Sequence, residues 1–200
     1  MVNDLDMAKI IKDLENFFEI KAPNYKIFLA HSREEFNKLT NRQSSETWMA
    51  GWANESKIVA ISPDKLEELT LGLHKKDSHP NRIKHELAHL FYNKLANGGT
   101  KPAWLNEGLA YYLDGHGGMP PKAKEDRYAA IKYFNNFDGH VYTPGSFMVK
   151  TLLDKFGKEK LLELIKSIQP NLTEEIFQNL FQKIYGFSFT EDGLATLERQ

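Results

Sequence analysis

The sequence predicts an α+β fold, in which a small N-terminal mixed sheet with helices packs on a mainly helical C-terminal half. Three observations carry this expectation. Short runs rich in β-forming residues and closed by turn residues fall before Pro80. After Pro80, apolar residues recur at helical spacing in one segment after another, punctuated by glycine and proline. The chain has 200 residues, 41% of them hydrophobic and 12% aromatic, enough for one well-buried core and too few for two independent domains. A single compact domain over 1–200 is therefore expected, with an α/β part at 1–79 and a helical part at 80–200.

Leu5, Ile10, Leu14, Phe17 and Phe18 lie at roughly helical spacing, which predicts an amphipathic helix over 4–20 that ends before Pro23. Residues 25–30, Tyr-Lys-Ile-Phe-Leu-Ala, read as a strand. Ser32, with Glu35 three residues later, is a capping-box pattern and opens a helix through about Leu39. Residues 47–53 and 57–62 are β-prone runs separated by Asn54-Glu55-Ser56, which predicts a hairpin whose second strand Pro63 closes. Helices are then expected near 81–97, 102–113, 122–134, 146–156, 159–167 and 174–185. Gly98-Gly99, the cluster at 115–121 and Gly157 separate them. No repeat, low-complexity tract or Pro/Ser-rich linker marks a domain boundary.

Composition narrows the function classes. The formal net charge is -1, so there is no excess of Lys and Arg to neutralise phosphates, and nucleic acid is not an expected partner. No run approaches the roughly 18 consecutive apolar residues of a membrane-spanning helix. The first seven residues carry acidic groups where a secretory leader would be basic and then apolar, so cytoplasmic residence is the expectation. The chain has no cysteine. Disulfides, a thiol nucleophile and thiolate metal sites are excluded, leaving His, Asp and Glu as the strong side-chain ligands.

The segment after Ile83-Lys84 reads His85-Glu86-Leu87-Ala88-His89. On an α-helix, residues four apart share a face, so both imidazoles can reach one ion while Glu86 leans toward a water on it. Ile83, Leu87, Leu90, Phe91 and Leu95 supply the apolar stripe that would bury this helix beside its ligands. A catalytic zinc takes three protein ligands and keeps one position open. Glu107 is available as the third: it lies eighteen positions after His89, past the Gly98-Gly99 break, in a second helix started by Pro102. Two helices joined by a short turn can pack antiparallel and bring Glu107 back over the histidine pair.

His-Glu-Leu-Ala-His followed by Trp104-Leu-Asn-Glu-Gly-Leu-Ala110 resembles the gluzincin zinc metallopeptidases, the thermolysin and aminopeptidase-like superfamily. The resemblance covers roughly residues 80–157 and implies a zincin-like fold, one Zn2+ ion held by His85, His89 and Glu107, Glu86 as general base, and a peptide or protein substrate. It also implies an oxyanion donor, for which Tyr142 stands in a comparable place, with His140 and Tyr133 as competitors. In similar peptidases an edge strand pairs with the extended substrate, a role open to residues 50–54 or 58–61. Gly51-Trp52-Ala53-Asn54-Glu55 departs from the Gly-x-Met-x-Asn element by which aminopeptidases of this superfamily hold a free N-terminus, and Asn54-Glu55 read as a turn. Where the superfamily often places an Asp four residues after its glutamate ligand, Tyr111 stands; Asp114, one turn further along, is a candidate substitute behind the ligands, against the more common reading of a carboxylate that faces water, and the choice stays open. A reading from another class keeps the same residues: a zinc-retaining but inactive domain that binds a peptide or protein partner.

The remaining aromatic and charged residues have plainer expected roles. Trp48, Trp52 and Trp104 are expected in the core or a pocket wall. His31, His74, His79 and His116 are expected at the surface or in loops, and Lys155, Lys158 and Lys160 in solvent.

Overall fold

The computed structural model describes residues 4–198, with the side chains at 4, 5, 124, 125 and 198 outside that description. The Leu5 side chain of the first expected helix, and the first three of the seven residues read against a secretory leader, therefore lie outside the described residues. The fold is α+β, mainly helical with one small mixed sheet. Its contacts sort into two compact units, Met1–Phe91 and Tyr92–Gln200, and the division falls inside one long helix, His79–Leu95.

In the first unit, α1 (Asp4–Phe18) buries Ile10, Leu14 and Phe18, one residue per turn on a single face. The strands are β1 (Lys26–Ala30), β2 (Gly51–Asn54) and β3 (Lys57–Ile61), in the order β1-β3-β2. β3 is central, parallel to β1 and antiparallel to β2. Between β1 and β2 lies α2 (Arg33–Thr40), whose N-cap half of the expected capping box is formed: the Ser32 hydroxyl accepts from the Glu35 N–H, while the Glu35 carboxylate reaches one residue further back and accepts from the His31 N–H at 2.8 Å. Phe36 of α2 joins Ala30, Val59 and Ile61 in a buried aliphatic core, against which Trp52 packs.

The first hairpin strand is shorter than the expected 47–53, and Arg33 is the reason. Its guanidinium donates to the carbonyls of Thr47 and Met49, the latter at 2.6 Å, and to that of Leu69 at the end of α3 (Leu66–Leu69). His74 engages the Trp48 carbonyl at 2.9 Å. With those acceptors taken, ladder pairing starts only at Gly51. The unit closes with the first part of α4 (His79–Leu95), whose Phe91 stacks on Phe18 with ring centroids 5.4 Å apart.

The second unit holds α5 (Ala103–Leu113), α6 (Tyr142–Lys166), α7 (Glu174–Tyr185) and α8 (Glu191–Ala195). Its core is aromatic: Trp104 stacks on Phe189 with centroids 4.8 Å apart, and Phe177 touches Trp104, Phe134, Phe181 and Phe189. The two helices expected at 146–156 and 159–167 are the halves of α6, interrupted at Gly157, whose φ of 82° is open to glycine. α6 begins earlier than expected because Pro144 sits in its first turn, where no N–H is needed. The α-helix expected at 122–134 is instead a 3₁₀ run, Lys124–Lys132. The next two carbonyls, of Tyr133 and Phe134, turn away to accept from Trp104 and Ala103, both at 2.9 Å.

Candidate metal centre

α4 carries the histidine pair. Ile83, Leu87, Leu90 and Phe91 are buried and set the helix's rotation. On that fixed frame the rings of His85 and His89 face one another edge to face, with centroids 4.8 Å apart. His85 is buried and His89 half-buried. Glu86 is also buried, at 6% exposure, so its carboxylate is held in the interior rather than in bulk water.

α5 carries the carboxylate. Between the helices the chain turns through Gly98 at a φ of 88°, and the Gly98 N–H closes on the Asn93 carbonyl at 2.7 Å. Burial pushes the Tyr92 phenol well up, which keeps it protonated, and its hydroxyl donates to the Lys101 carbonyl at 3.1 Å. Asn106 donates to the Thr100 carbonyl at 3.0 Å, gripping the same turn from α5. The first N–H groups of α5 are satisfied by Phe134 and Tyr133, so the helix starts without a side-chain cap. Glu107 is the one charged residue of this helix. A carboxylate on such a helix is stable only with donors or a cation beside it.

His85, His89 and Glu107 form a group that could hold a metal ion: one ligand atom from each lies within 4.8 Å of the others. A tetrahedral set at bonds of about 2.1 Å places its ligand atoms about 3.4 Å apart, a spacing of the same order as the one these three residues have. The donor set is also the right chemistry. Two imidazoles and a carboxylate suit a borderline divalent ion such as zinc, whereas calcium and magnesium favour all-oxygen sites.

Tyr142 opens α6, and a backbone contact places it. A Cβ on Gly108 would lie 2.3 Å from the Gly145 carbonyl carbon, and one on Gly145 would lie 2.5 Å from the Trp104 carbonyl oxygen. α5 and α6 thus touch main chain to main chain. The contact sets the Tyr142 ring against Tyr111, with centroids 5.6 Å apart, one turn beyond Glu107 on α5. His116 also stacks on Tyr111, with centroids 5.9 Å apart, and both its N–H and its Nδ1 engage Asp114 Oδ1 at 3.0 Å. Asp114 therefore holds His116. Of the competitors for Tyr142, His140 is exposed, with its N–H on Asp138, while Tyr133 gives its carbonyl to α5.

Several expectations are corrected. Residues 58–61 belong to β3, paired on both sides, so they offer no edge to a peptide; of the two stretches considered, only β2 does. His79 is buried at the start of α4, where burial holds its imidazole below the ordinary value. His74 and His116 are half-buried and engaged as described, while His31 is exposed. Lys160 is not in solvent: it donates to the Ile184 carbonyl at 3.0 Å with Phe156 and Tyr185 beneath its ammonium. The residue overlooked is Gly51, whose missing side chain makes room for Glu86. Its signal was a glycine inside a strand, which marks a bulge or a close approach.

Comparison of the chain with protein families, with curated proteins and with solved structures gave no match. Among the described residues, no helix is long and apolar enough to cross a membrane.

Proposed function

We propose that the chain is a zinc-dependent peptidase of the gluzincin kind, with His85, His89 and Glu107 as the residues that would hold the ion. The observation that carries the reading is the convergence of two imidazoles four residues apart on α4 and the lone carboxylate of α5 within 4.8 Å. Zinc, when bound, supplies a Lewis acid that brings the pKa of water toward about 7 and polarises a carbonyl. The rest falls to side chains. Glu86, adjacent to His85 on a buried helix, takes the proton of the attacking water and delivers it to the leaving amine. Tyr142 donates its phenolic hydrogen to the developing oxyanion, a donor whose loss typically costs on the order of 3 kcal/mol of barrier. β2, as an edge strand, offers main-chain pairing to an extended peptide or protein substrate.

The test is a metal analysis beside a peptide-hydrolysis assay. The parent should contain one zinc per chain and cleave an unstructured protein substrate in a chelator-sensitive way. Glu86→Gln should keep the zinc and lose about a thousandfold or more in kcat. A chain that holds zinc and cleaves nothing would be the partner-binding domain instead. A chain without stoichiometric metal defeats both readings.

A further inference from the structure

We infer that Gly51 is the positioning residue that seats the Glu86 carboxylate, an inference whose catalytic part rests on the peptidase reading above. A Cβ built on Gly51 would lie 2.3 Å from Glu86 Oε1, 2.8 Å from its Cδ and 2.9 Å from its Cγ. Real Cβ atoms do not approach other heavy atoms so closely, so the Glu86 side chain occupies the volume that any other residue at 51 would fill.

Backbone conformation does not explain this glycine. Gly51 is an ordinary strand residue, outside the positive-φ positions where glycine is required, and any residue could adopt its dihedrals. Space alone demands it. The sheet register extends the seat: Gly51 pairs with Ala60 of β3, while the next pair, Trp52 with Val59, points to the opposite face and the aliphatic core. On the face that Glu86 meets, Gly51 is thus paired with a residue no larger than alanine, and the Glu86 side chain takes the space beside the first residue of the edge strand.

The arrangement links two functions. The strand that offers its main chain to a substrate also fixes the base that would act on that substrate. A base must be held within a fraction of an ångström of its working position, and a misplacement of about 1 Å can cost on the order of 100-fold. A methyl group at residue 51 displaces Glu86 while leaving the zinc ligands untouched.

The experiment compares the full-length parent with Gly51→Ala, Glu86→Ala and the double variant. Zinc content, chemical denaturation, and kcat and KM on one peptide substrate are measured for each chain with detectable turnover. Gly51→Ala should keep its zinc, lose on the order of 100-fold in kcat and hold KM within about twofold. It should also lower the denaturation midpoint, and that loss should largely vanish in the Glu86→Ala background, where the clashing side chain is gone. Because the double variant empties the contested space, it folds even where Gly51→Ala does not. Additive stability losses would overturn the seat. Coupled losses with an unchanged kcat would overturn the positioning role. Coupled losses in a parent that cleaves nothing would sink the peptidase reading and uphold the seat.

Discussion

Each of the two units spends a glycine on a contact that a Cβ would not fit, and the two contacts have opposite consequences. In the second unit Gly108 meets the main chain of Gly145, and neither partner can yield without parting α5 from α6. In the first, Gly51 meets the end of a side chain, which can swing aside at modest cost. The comparison teaches that the same residue type guards architecture where its neighbour is backbone, and guards a functional side chain where its neighbour is a carboxylate. Sequence spacing does not separate the two cases. The identity of the neighbouring atom does.

Substitutions can break or sharpen that contrast. Gly108→Ala should have the largest effect on stability: about 3 kcal/mol lost, a fall of about 9 °C in the thermal midpoint, because main chain must move. If it melted within about 2 °C of the parent, the backbone contact would not be what holds α5 to α6. Gly51→Ala should cost less, about 1.5 kcal/mol, the strain of an off-rotamer glutamate, and its loss in kcat should stay below that of Glu86→Gln, which removes the base itself.

Helix caps provide an internal control, since Ser32 on α2 and Thr173 on α7 make the same hydrogen bond in different units. Ser32→Ala and Thr173→Ala should each cost about 1 kcal/mol in urea denaturation and leave zinc content alone. A much larger loss for either would show that its unit depends on that helix end more than on its core.

The smallest expected effect is a pH dependence. Burial depresses the folded pKa of His79 below 6.5, so the unfolded chain takes up a proton that the folded ring resists. The stability this group contributes is present above about pH 6.5 and lost as pH falls toward the folded value. Between pH 7.5 and 5.5 the parent should lose more stability than His79→Leu, by less than about 1 kcal/mol. Equal losses would place the ring in contact with water.

Local chemistry in the sequence foretold much of this molecule. Ser32 capped its helix as written, although Glu35 reached back to His31 and not to Ser32; the break at Gly157 fell where two helices meet, and His85 and His89 took the spacing that puts them on one face. What it missed involved partners distant along the chain. The strand expected at 47–53 lost its first half to the Arg33 guanidinium, and the helix expected at 122–134 became a 3₁₀ run whose following carbonyls cap α5. Periodicity reports which face a segment buries. It carries no record of which remote donor takes a segment's carbonyls.

The same boundary runs through the candidate site. Residue order by itself put two imidazoles and an intervening carboxyl on one helix, with a lone acid on the next, because a helix repeats every 3.6 residues whatever surrounds it. Only the tertiary structure decided that Glu107 comes within reach of that pair, that Tyr142 stands against Tyr111, and that a strand glycine lies under Glu86. Those are distances between segments, and they follow from how turns, main-chain contacts and side-chain volumes close on one another in three dimensions.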